Sequence, residues 1–238
     1  MDWSPNECAT ALGDLSQKWD NCSQCDLCKH RNLTVFGRGA VNALLLFIGD
    51  SPGEDEDKCG EPFTGTTSET LMDLLEAAKI PLNWCYFTNT VMCRPPEKQK
   101  PTGFQRSICW NRLYEQIYLI DPLVIVTVGK EAMSAFSWSD GRRTSIQAEQ
   151  GRWGTVVLQG KFHKNISVEY TAIPIFHPAY ISRTDTPDPK TKGYIQERER
   201  PAYETFLTLD KIRECVSMLL EKHRASIKSL ERNIRRGW

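Results

Sequence analysis

The stretch that decides the fold is Ala43-Leu-Leu-Leu-Phe-Ile-Gly-Asp-Ser-Pro-Gly53, an apolar run that ends in a small polar turn. An unbroken apolar run of this length is typical of a strand that is buried on both faces. The turn 49–53 then lies at the carboxyl end of the strand, where open α/β sheets bind their ligands. Its glycines let backbone approach a substrate closely, and Asp50 is the only ionisable side chain within it. Taken alone, the turn also fits an ordinary loop between a strand and a helix.

Three later segments share the features of a core strand, and with the first they predict a four-stranded, mainly parallel sheet between helices. These segments are Trp84–Val91, Pro122–Gly129 and Ala172–Pro178. Segments with the apolar spacing of helices lie between and after them, including 104–119 and 203–234. The run Trp153–Leu158 suggests a peripheral hairpin strand. The alternation of strands and helices indicates the α/β class.

Length and composition are those of one soluble globular domain spanning residues 1–238. The chain is 40% hydrophobic and 25% charged, and its formal net charge is zero. Any attraction to nucleic acid must therefore come from local patches rather than from a global field. No apolar run is long enough to cross a bilayer and no basic-plus-apolar leader opens the chain, so we expect an intracellular protein without a membrane partner.

Three parts of the domain are expected outside the core. A helix in residues 1–21 begins at a capping box formed by Ser4 and Glu7. Lys, Pro and Asp crowd residues 184–200, which we expect to be an exposed insertion. Residues 222–238 form a basic tail that either contacts phosphates or is a solvated helix end.

Each core strand brings a distinctive residue to the carboxyl edge of the predicted sheet. Asp50, Asn89, Gly129 and His177 lie at or near the carboxyl ends of the first, second, third and fourth strands in turn. A doubly wound sheet brings such ends together, so an acid, an amide and an imidazole should share one cleft. Phe63 lies between Pro and Gly in a polar loop, where an aromatic side chain is available to stack on a flat ligand. The acidic run before it, 54–57, is expected to be mostly solvated.

Nine cysteines are many for an intracellular chain and indicate metal ligation rather than disulfides. Cys22 and Cys25 form a Cys-x-x-Cys turn, which aims two thiolates at one site and needs two more ligands. Cys93 and Cys109 are the best second pair, since the less suitable cysteines lie in a loop, a strand and a helix: Cys59, Cys85 and Cys215. Spacing alone leaves Zn²⁺, an iron–sulfur cluster and unligated thiols open.

Several motifs, taken in order along the chain, resemble those of the family 4 uracil-DNA glycosylases. They are Gly49–Gly53 with Glu56-Asp57, Glu61–Gly65, Thr88–Pro96 and His177–Arg183. The resemblance runs from about Cys22 to Leu220 with similar spacings, and it implies the uracil-DNA glycosylase-like fold. It also implies a monofunctional enzyme that flips uracil out of DNA, hydrolyses the N-glycosidic bond and leaves an abasic site for base excision repair.

The family resemblance assigns a cofactor to the cysteines. It implies a structural [4Fe–4S] cluster, with Zn²⁺ as the alternative, held by Cys22, Cys25, Cys93 and Cys109. Cys28 is then a bystander. The resemblance also implies that the protein is a monomer and that its partner is DNA. It implies a cytoplasmic location with the nucleoid, in a prokaryotic or phage-associated protein.

The resemblance also assigns roles to the residues at the sheet edge. The expected catalytic residues are Asp50 and His177. The expected base-binding residues are Ser51, Phe63 and Asn89, and the expected DNA-binding residues, on a loop after the last strand, are Tyr180, Ile181 and Arg183. In this scheme His177 stabilises the departing base anion, Asp50 orients water or favours the sugar cation, and Asn89 reads the pairing edge.

This chain departs from the family pattern around the base. Asp50 and Ser51 stand where the family typically has a glutamate followed by an alanine or glycine, and hydroxyl side chains occur at Thr64, Thr66 and Thr67. A roomier, more hydroxylated pocket would suit a modified pyrimidine, such as glucosylated hydroxymethylcytosine in phage DNA, which would make the protein an antiviral glycosylase. A catalytically silent DNA-binding iron–sulfur module is the second alternative, although such a module would not need both Asp50 and His177.

Overall fold

A computed structural model describes residues 4–97, 99–141, 145–159, 167–185 and 201–235. The strands are β1 Arg38–Gly39, β2 Leu45–Gly49, β3 Cys85–Asn89, β4 Val124–Val128, β5 Ser137–Trp138, β6 Gly154–Gln159 and β7 Ser167–Ile175. The helices are α1 Pro5–Trp19, α2 Glu54–Cys59, α3 Thr66–Ala77, α4 Gly103–Ile120, α5 Lys130–Ser134, α6 Ile146–Glu149, α7 Pro178–Asp185 and α8 Pro201–Arg235, with short 3₁₀ turns at Asp26–Lys29 and Leu82–Trp84.

The described residues form one mixed seven-stranded sheet in the order β1-β3-β2-β4-β7-β6-β5. The four predicted core strands are neighbours and run parallel, as β3, β2, β4 and β7, which confirms the α/β class. The predicted four-stranded core sheet was too small, because β1, β6 and β5 extend it in antiparallel pairs. β6 confirms the peripheral hairpin strand that was predicted at residues 153–158. Two of these strands have only two residues, too few to show an alternating pattern, so tertiary pairing alone defines them.

The central strands are buried on both faces, as their continuous apolar runs predict. All five residues of β2, β3 and β4 are buried. Leu46 and Ile48 face a core that includes residues of α1 and α4, while Leu45 and Phe47 face residues of α3 and α8. Because helices cover both faces of the sheet, the carboxyl ends of the parallel strands are where a ligand can reach it.

Helix α4 fixes the end of β3 through a buried guanidinium. Arg112 is fully buried and donates to the hydroxyl of Thr88 at 2.9 Å and to the carbonyls of Asn89 at 2.8 Å and Thr90 at 3.2 Å. Gln116 accepts a further bond from Arg112. These bonds satisfy carbonyls that the sheet leaves free and hold the backbone that carries Asn89.

Of the segments expected outside the core, residues 1–21 and the basic tail are largely helical. Helix α1 begins at the capping box of Ser4 and Glu7 and lies within residues 1–21. Helix α8 reaches Arg235 and so includes most of the basic tail. Residues 186–200, most of the expected insertion, lie outside the described residues, whereas Thr184 and Asp185 end α7. Within the described segments, no helix combines the length and apolarity needed to span a membrane.

Candidate active site

A cavity of about 260 Å³ opens at the carboxyl ends of the parallel strands. Its walls come from the glycine turn, α2, the loop before α3, α3 itself, the end of β3 and the start of α7. The predicted base-binding and catalytic residues that it brings together are Ser51, Phe63, Asn89 and His177. Asp50 is not among the lining residues in the described part of the chain.

Asn89 presents a buried amide to the cavity. Asn89 is 3% exposed, and among the described residues its Nδ2 has no hydrogen-bond partner. Gly49 pairs with Asn89 in register, and a Cβ at Gly49 would lie 2.2 Å from Asn89 Oδ1. The glycine is therefore required for this side chain to occupy the cavity wall, and the unpaired donor is available to a ligand.

Phe63 forms an aromatic wall of the same cavity. It is 6% exposed, and its ring lies 5.4 Å from the ring of Phe87, measured between centroids. Its backbone φ is 54°, in the left-handed region. The backbone N–H of Phe63 donates to Glu56, and Arg38 donates to its carbonyl at 2.7 Å. Hydrogen bonds to both the N–H and the carbonyl of Phe63 thus hold its backbone and, through it, the position of the ring.

Glu56 is a cavity residue that sequence reasoning treated as part of a solvated run. The run instead starts helix α2, and Glu56 accepts a hydrogen bond from Gly53 N at 2.7 Å. Burial raises the pKa of Glu56, while the hydrogen bonds from Gly53 and Phe63 act in the opposite direction. Asp57 is also fully buried and accepts bonds from Asn32. A glycine before four acidic residues is a helix N-terminus signal that could have identified this turn.

His177 lies two residues after the end of β7 and is exposed at the mouth of the cavity. Its Nδ1 accepts a hydrogen bond from the backbone N–H of Ala179 at 3.1 Å, so the neutral ring carries its proton on Nε2. Desolvation by the surrounding protein lowers the pKa of His177, Asp50 opposes this shift, and Arg183 adds to it. Gly129 leaves room for the imidazole, since a Cβ there would lie 3.0 Å from His177 Cβ.

Asp50 turns towards helix α4 rather than into the cavity. Its Oδ1 accepts a hydrogen bond from Arg106 Nη2 at 2.7 Å, and Thr90 Oγ1 donates to its backbone carbonyl at 2.6 Å. Arg106 also lies 3.5 Å from a carboxylate oxygen of Glu131. Asp50 remains close enough to His177 to influence its pKa. Sequence reasoning did not identify Arg106, since no local pattern relates it to the turn.

The predicted DNA-binding residues lie on a helix, α7, and not on the expected loop. Pro178 occupies the first helical position, which proline favours. Arg183 is exposed, and Tyr180 is half-buried with its ring 5.1 Å from that of Phe176. Ile181 is 1% exposed and belongs to the core. Arg183 is therefore the member of this group that presents its side chain to solvent.

The four predicted ligand cysteines gather in one cluster beside the site. Cys93 and Cys109 are buried with Leu15, Trp19 and Leu27, and Cys22 and Cys25 pack against them. Burial raises the pKa of the Cys93 thiol to about 11, and the neighbouring thiols of Cys109 and Cys25 add to the shift. Arg31 Nη1 lies 2.9 Å from Cys93 Sγ.

All nine cysteines lie within the described residues, and none of them is in a disulfide. Across the ranges that the structure describes, no three or more His, Cys, Asp or Glu side chains are grouped so that they could hold a metal ion. The four thiols nonetheless come from the segment after α1, the loop after β3 and helix α4. A group bound by all four would therefore join three separate parts of the chain.

Comparisons with known proteins agree with this arrangement. The family model for the Uracil DNA glycosylase superfamily matches residues 36–198. A Type-4 uracil-DNA glycosylase of Thermotoga maritima is 36% identical over 172 residues, which cover 71% of this chain and 82% of that protein. A Type-4 uracil-DNA glycosylase of Archaeoglobus fulgidus is 31% identical over 198 residues, which cover 83% of this chain and 99% of that protein. One of Pyrobaculum aerophilum is 28% identical over 188 residues, covering 78% and 90%.

Proposed function

This chain belongs to the uracil-DNA glycosylase superfamily, and we propose that it is a monofunctional DNA glycosylase that flips uracil out of DNA and hydrolyses its N-glycosidic bond. The product is an abasic site, the substrate of the next step of base excision repair. The observation that carries this proposal is the shared cavity of Phe63, Asn89 and His177 at the carboxyl ends of the sheet. An aromatic wall, an unpaired amide and a neutral imidazole are the groups that base excision requires.

Recognition of the base is assigned to Phe63 and Asn89. An extruded base leaves the DNA stack at a cost of a few kcal/mol, which stacking on Phe63 offsets in part. The free Nδ2 donor of Asn89 suits the O4 acceptor of uracil, and the amide oxygen suits the N3–H donor. Cytosine presents the opposite order of donor and acceptor, so it would leave buried polar groups unpaired.

Bond cleavage is assigned to His177 with a contribution from Asp50. Breaking the bond places negative charge on the departing base and positive charge on the sugar. The Nε2–H of the neutral imidazole, whose tautomer Ala179 holds, is suited to stabilise the base anion. Asp50 lies outside the cavity wall and bonds to Arg106, so it would favour the sugar cation through space or orient water at the cavity edge.

A [4Fe–4S] cluster is proposed for Cys22, Cys25, Cys93 and Cys109. Four thiols gathered from three segments fit such a group, since iron–sulfur clusters are held by cysteine thiolates. When bound, the cluster would supply a cross-link between these segments, and base excision needs no redox step from it. The purified protein should be brown and contain iron and sulfide in equal amounts. Zinc in place of both would identify the alternative metal.

Replacing a ligand separates the cluster proposal from the catalytic one. The Cys93→Ser protein should be colourless and poorly soluble, because the N-terminal segment loses its link to the body. Cys28→Ser is the matched control and should remain brown, since Cys28 is a cysteine outside the four-thiol set. A soluble, fully active Cys93→Ser protein would argue against the cluster.

The activity itself is tested with a labelled duplex that carries one uracil. Incubation should create an alkali-sensitive site at the uracil, and a duplex with thymine in that position should stay intact. An uncleaved uracil duplex together with tight DNA binding would support the alternative of a catalytically silent module. That the protein acts as a monomer in the cytoplasm stays a prediction.

A modified pyrimidine is the second candidate substrate, because hydroxyl groups are frequent in the cavity wall. The hydroxyl-bearing residues of the lining are Ser51, Thr64, Thr67 and Ser68. Such groups offer donors and acceptors to a polar substituent on the base. A panel of oligonucleotides bearing uracil, hypoxanthine, hydroxymethylcytosine and glucosylated hydroxymethylcytosine tests this. A higher rate on the sugar-bearing base than on uracil would replace repair by defence against phage as the proposed function.

A further inference from the structure

The backbone of Phe63 adopts a conformation that aromatic residues rarely take. Its φ of 54° lies in the left-handed region, which is unfavourable for residues with a β-carbon. A conformation of this kind persists only where surrounding contacts hold it in place. The contacts that hold Phe63 therefore decide where its ring lies in the cavity.

Arg38 makes the principal contact on the carbonyl side. Its Nε donates to the carbonyl of Pro62 at 2.7 Å, and its Nη2 donates to the carbonyl of Phe63 at 2.7 Å. Two bonds from one planar guanidinium fix the direction of two successive peptide groups. On the amide side, the N–H of Phe63 donates to Glu56. The peptide backbone of Phe63 is thus held between a cation and a carboxylate.

The short edge strand β1 explains why Arg38 reaches this loop. Arg38 pairs with Phe87 of β3 in antiparallel register, and its guanidinium carbon lies 5.4 Å from the centroid of the Phe87 ring. Gly39 permits this pairing, because a Cβ there would lie 2.3 Å from the carbonyl oxygen of Cys85. The cation packs on the Phe87 ring and holds the backbone of Phe63, and the two rings are tilted by 48° to each other, so Arg38 contacts both the Phe63 backbone and the ring against which Phe63 packs.

We propose that Arg38 is a positioning residue that holds the Phe63 ring in place as the surface on which the extruded base stacks. The inference rests on the proposed function, which supplies the role of Phe63. Among the described residues, Arg38 is not part of the cavity lining, so its influence on the base passes through Phe63. Lysine at this position keeps the charge and the aliphatic stem but lacks the planar fork that binds two carbonyls.

Binding to two DNA probes tests the role. One duplex carries 2′-fluoro-2′-deoxyuridine, which keeps its base, and the other carries a tetrahydrofuran abasic analogue, which has none. Arg38→Lys should weaken binding to the first about tenfold and to the second less than about twofold, because only the first needs the stacking surface. In a Phe63→Ala background, Arg38→Lys should have no further effect on either duplex. Equal weakening on both duplexes, or additive losses with Phe63→Ala, overturns the inference.

A second measurement does not depend on activity. Amide hydrogen exchange in residues 61–65 should be about tenfold faster in Arg38→Lys, while exchange in α4 stays unchanged. Arg213→Ala is the matched control, since Arg213 pairs with Asp210 on α8 at 2.6 Å and should leave residues 61–65 as in the wild type. Unchanged exchange in Arg38→Lys overturns the inference. Failure of the wild type to cleave any base in the panel would overturn the proposed function, whereas faster exchange in Arg38→Lys would still show that Arg38 positions the loop of Phe63.

Discussion

Asn89 occupies the cavity wall as a buried amide whose nitrogen has no partner in the described part of the chain, so it is the residue from which base discrimination is best tested. Asn89→Ala removes the only contact that we assign to the pairing edge. The single-turnover rate on uracil DNA should fall by about 100-fold or more, and the preference for uracil over cytosine should shrink with it. Asn6→Ala, at an exposed position of α1, is the control. Unchanged kinetics in Asn89→Ala would refute the assigned role.

His177 should produce an acid limb in the pH dependence of the reaction. The bond from Ala179 N–H to Nδ1 requires the neutral ring, so activity should be lost as the pH falls through the pKa of His177, which desolvation by the surrounding protein lowers from its ordinary value. Asp50 raises this pKa and Arg183 lowers it. Asp50→Asn should therefore move the limb to lower pH, and Arg183→Gln should move it to higher pH.

Single-turnover rates between pH 4.5 and pH 8 measure both shifts, with the range set by the ordinary pKa of about 6.5 for histidine. Residual activity of the two variants need not be equal, because only the position of the acid limb is compared. Shifts in the same direction for both variants would show that the limb belongs to another group.

At the scale of elements, helix α4 combines several roles, and its buried guanidinium allows a stability test. Arg112→Leu leaves the hydroxyl of Thr88 and the carbonyls of Asn89 and Thr90 without their donor. Unfolding free energy should fall by about 3 kcal/mol, because buried polar groups lose their partners. Glu115→Ala on the same helix breaks only a surface pair with Lys18 and should cost less than about 1 kcal/mol. Urea denaturation of both variants decides the comparison.

The longer elements, including the peripheral strand β6, could be predicted from the sequence, and the two-residue strands β1 and β5 could not. The apolar runs of β2, β3, β4 and β7 identify themselves, because strands buried on both faces need no partner to be recognised. β1 and β5 exist only through pairing with β3 and β6, so no local pattern marks them. Helix α7 was expected to be a loop, although a proline at its first position marks it.

The same distinction applies to the site. Asn89, His177 and Phe63 were predicted because each follows a strand or stands out in a polar loop. The partners Arg106 and Arg38 were not, since Arg106 is 56 residues from Asp50 and Arg38 is 25 residues from Phe63. Contacts between residues so far apart depend on the packed fold, which a single sequence does not reveal.

For the whole molecule, zero net charge leaves the basic tail as an obvious candidate for long-range attraction to DNA. We expect the tail to act as a solvated helix end. A chain that stops at Glu221 should therefore bind duplex DNA with an unchanged slope of log affinity against log salt concentration. A slope that becomes shallower by two or more ion equivalents would show instead that the tail contacts phosphates. The full-length protein, titrated over the same salt range, is the reference.

Helix α4 has a consequence for how this enzyme can diversify. Within two turns it carries three residues with separate roles. Arg106 bonds to Asp50, and Cys109 belongs to the thiol cluster. Arg112 holds the end of β3, which carries Asn89. A substitution that rotates or shifts this helix would disturb all three at once, so it is constrained against change. Laboratory selection for new target bases should accordingly enrich substitutions at Thr64, Thr67 and their neighbours, and leave α4 untouched.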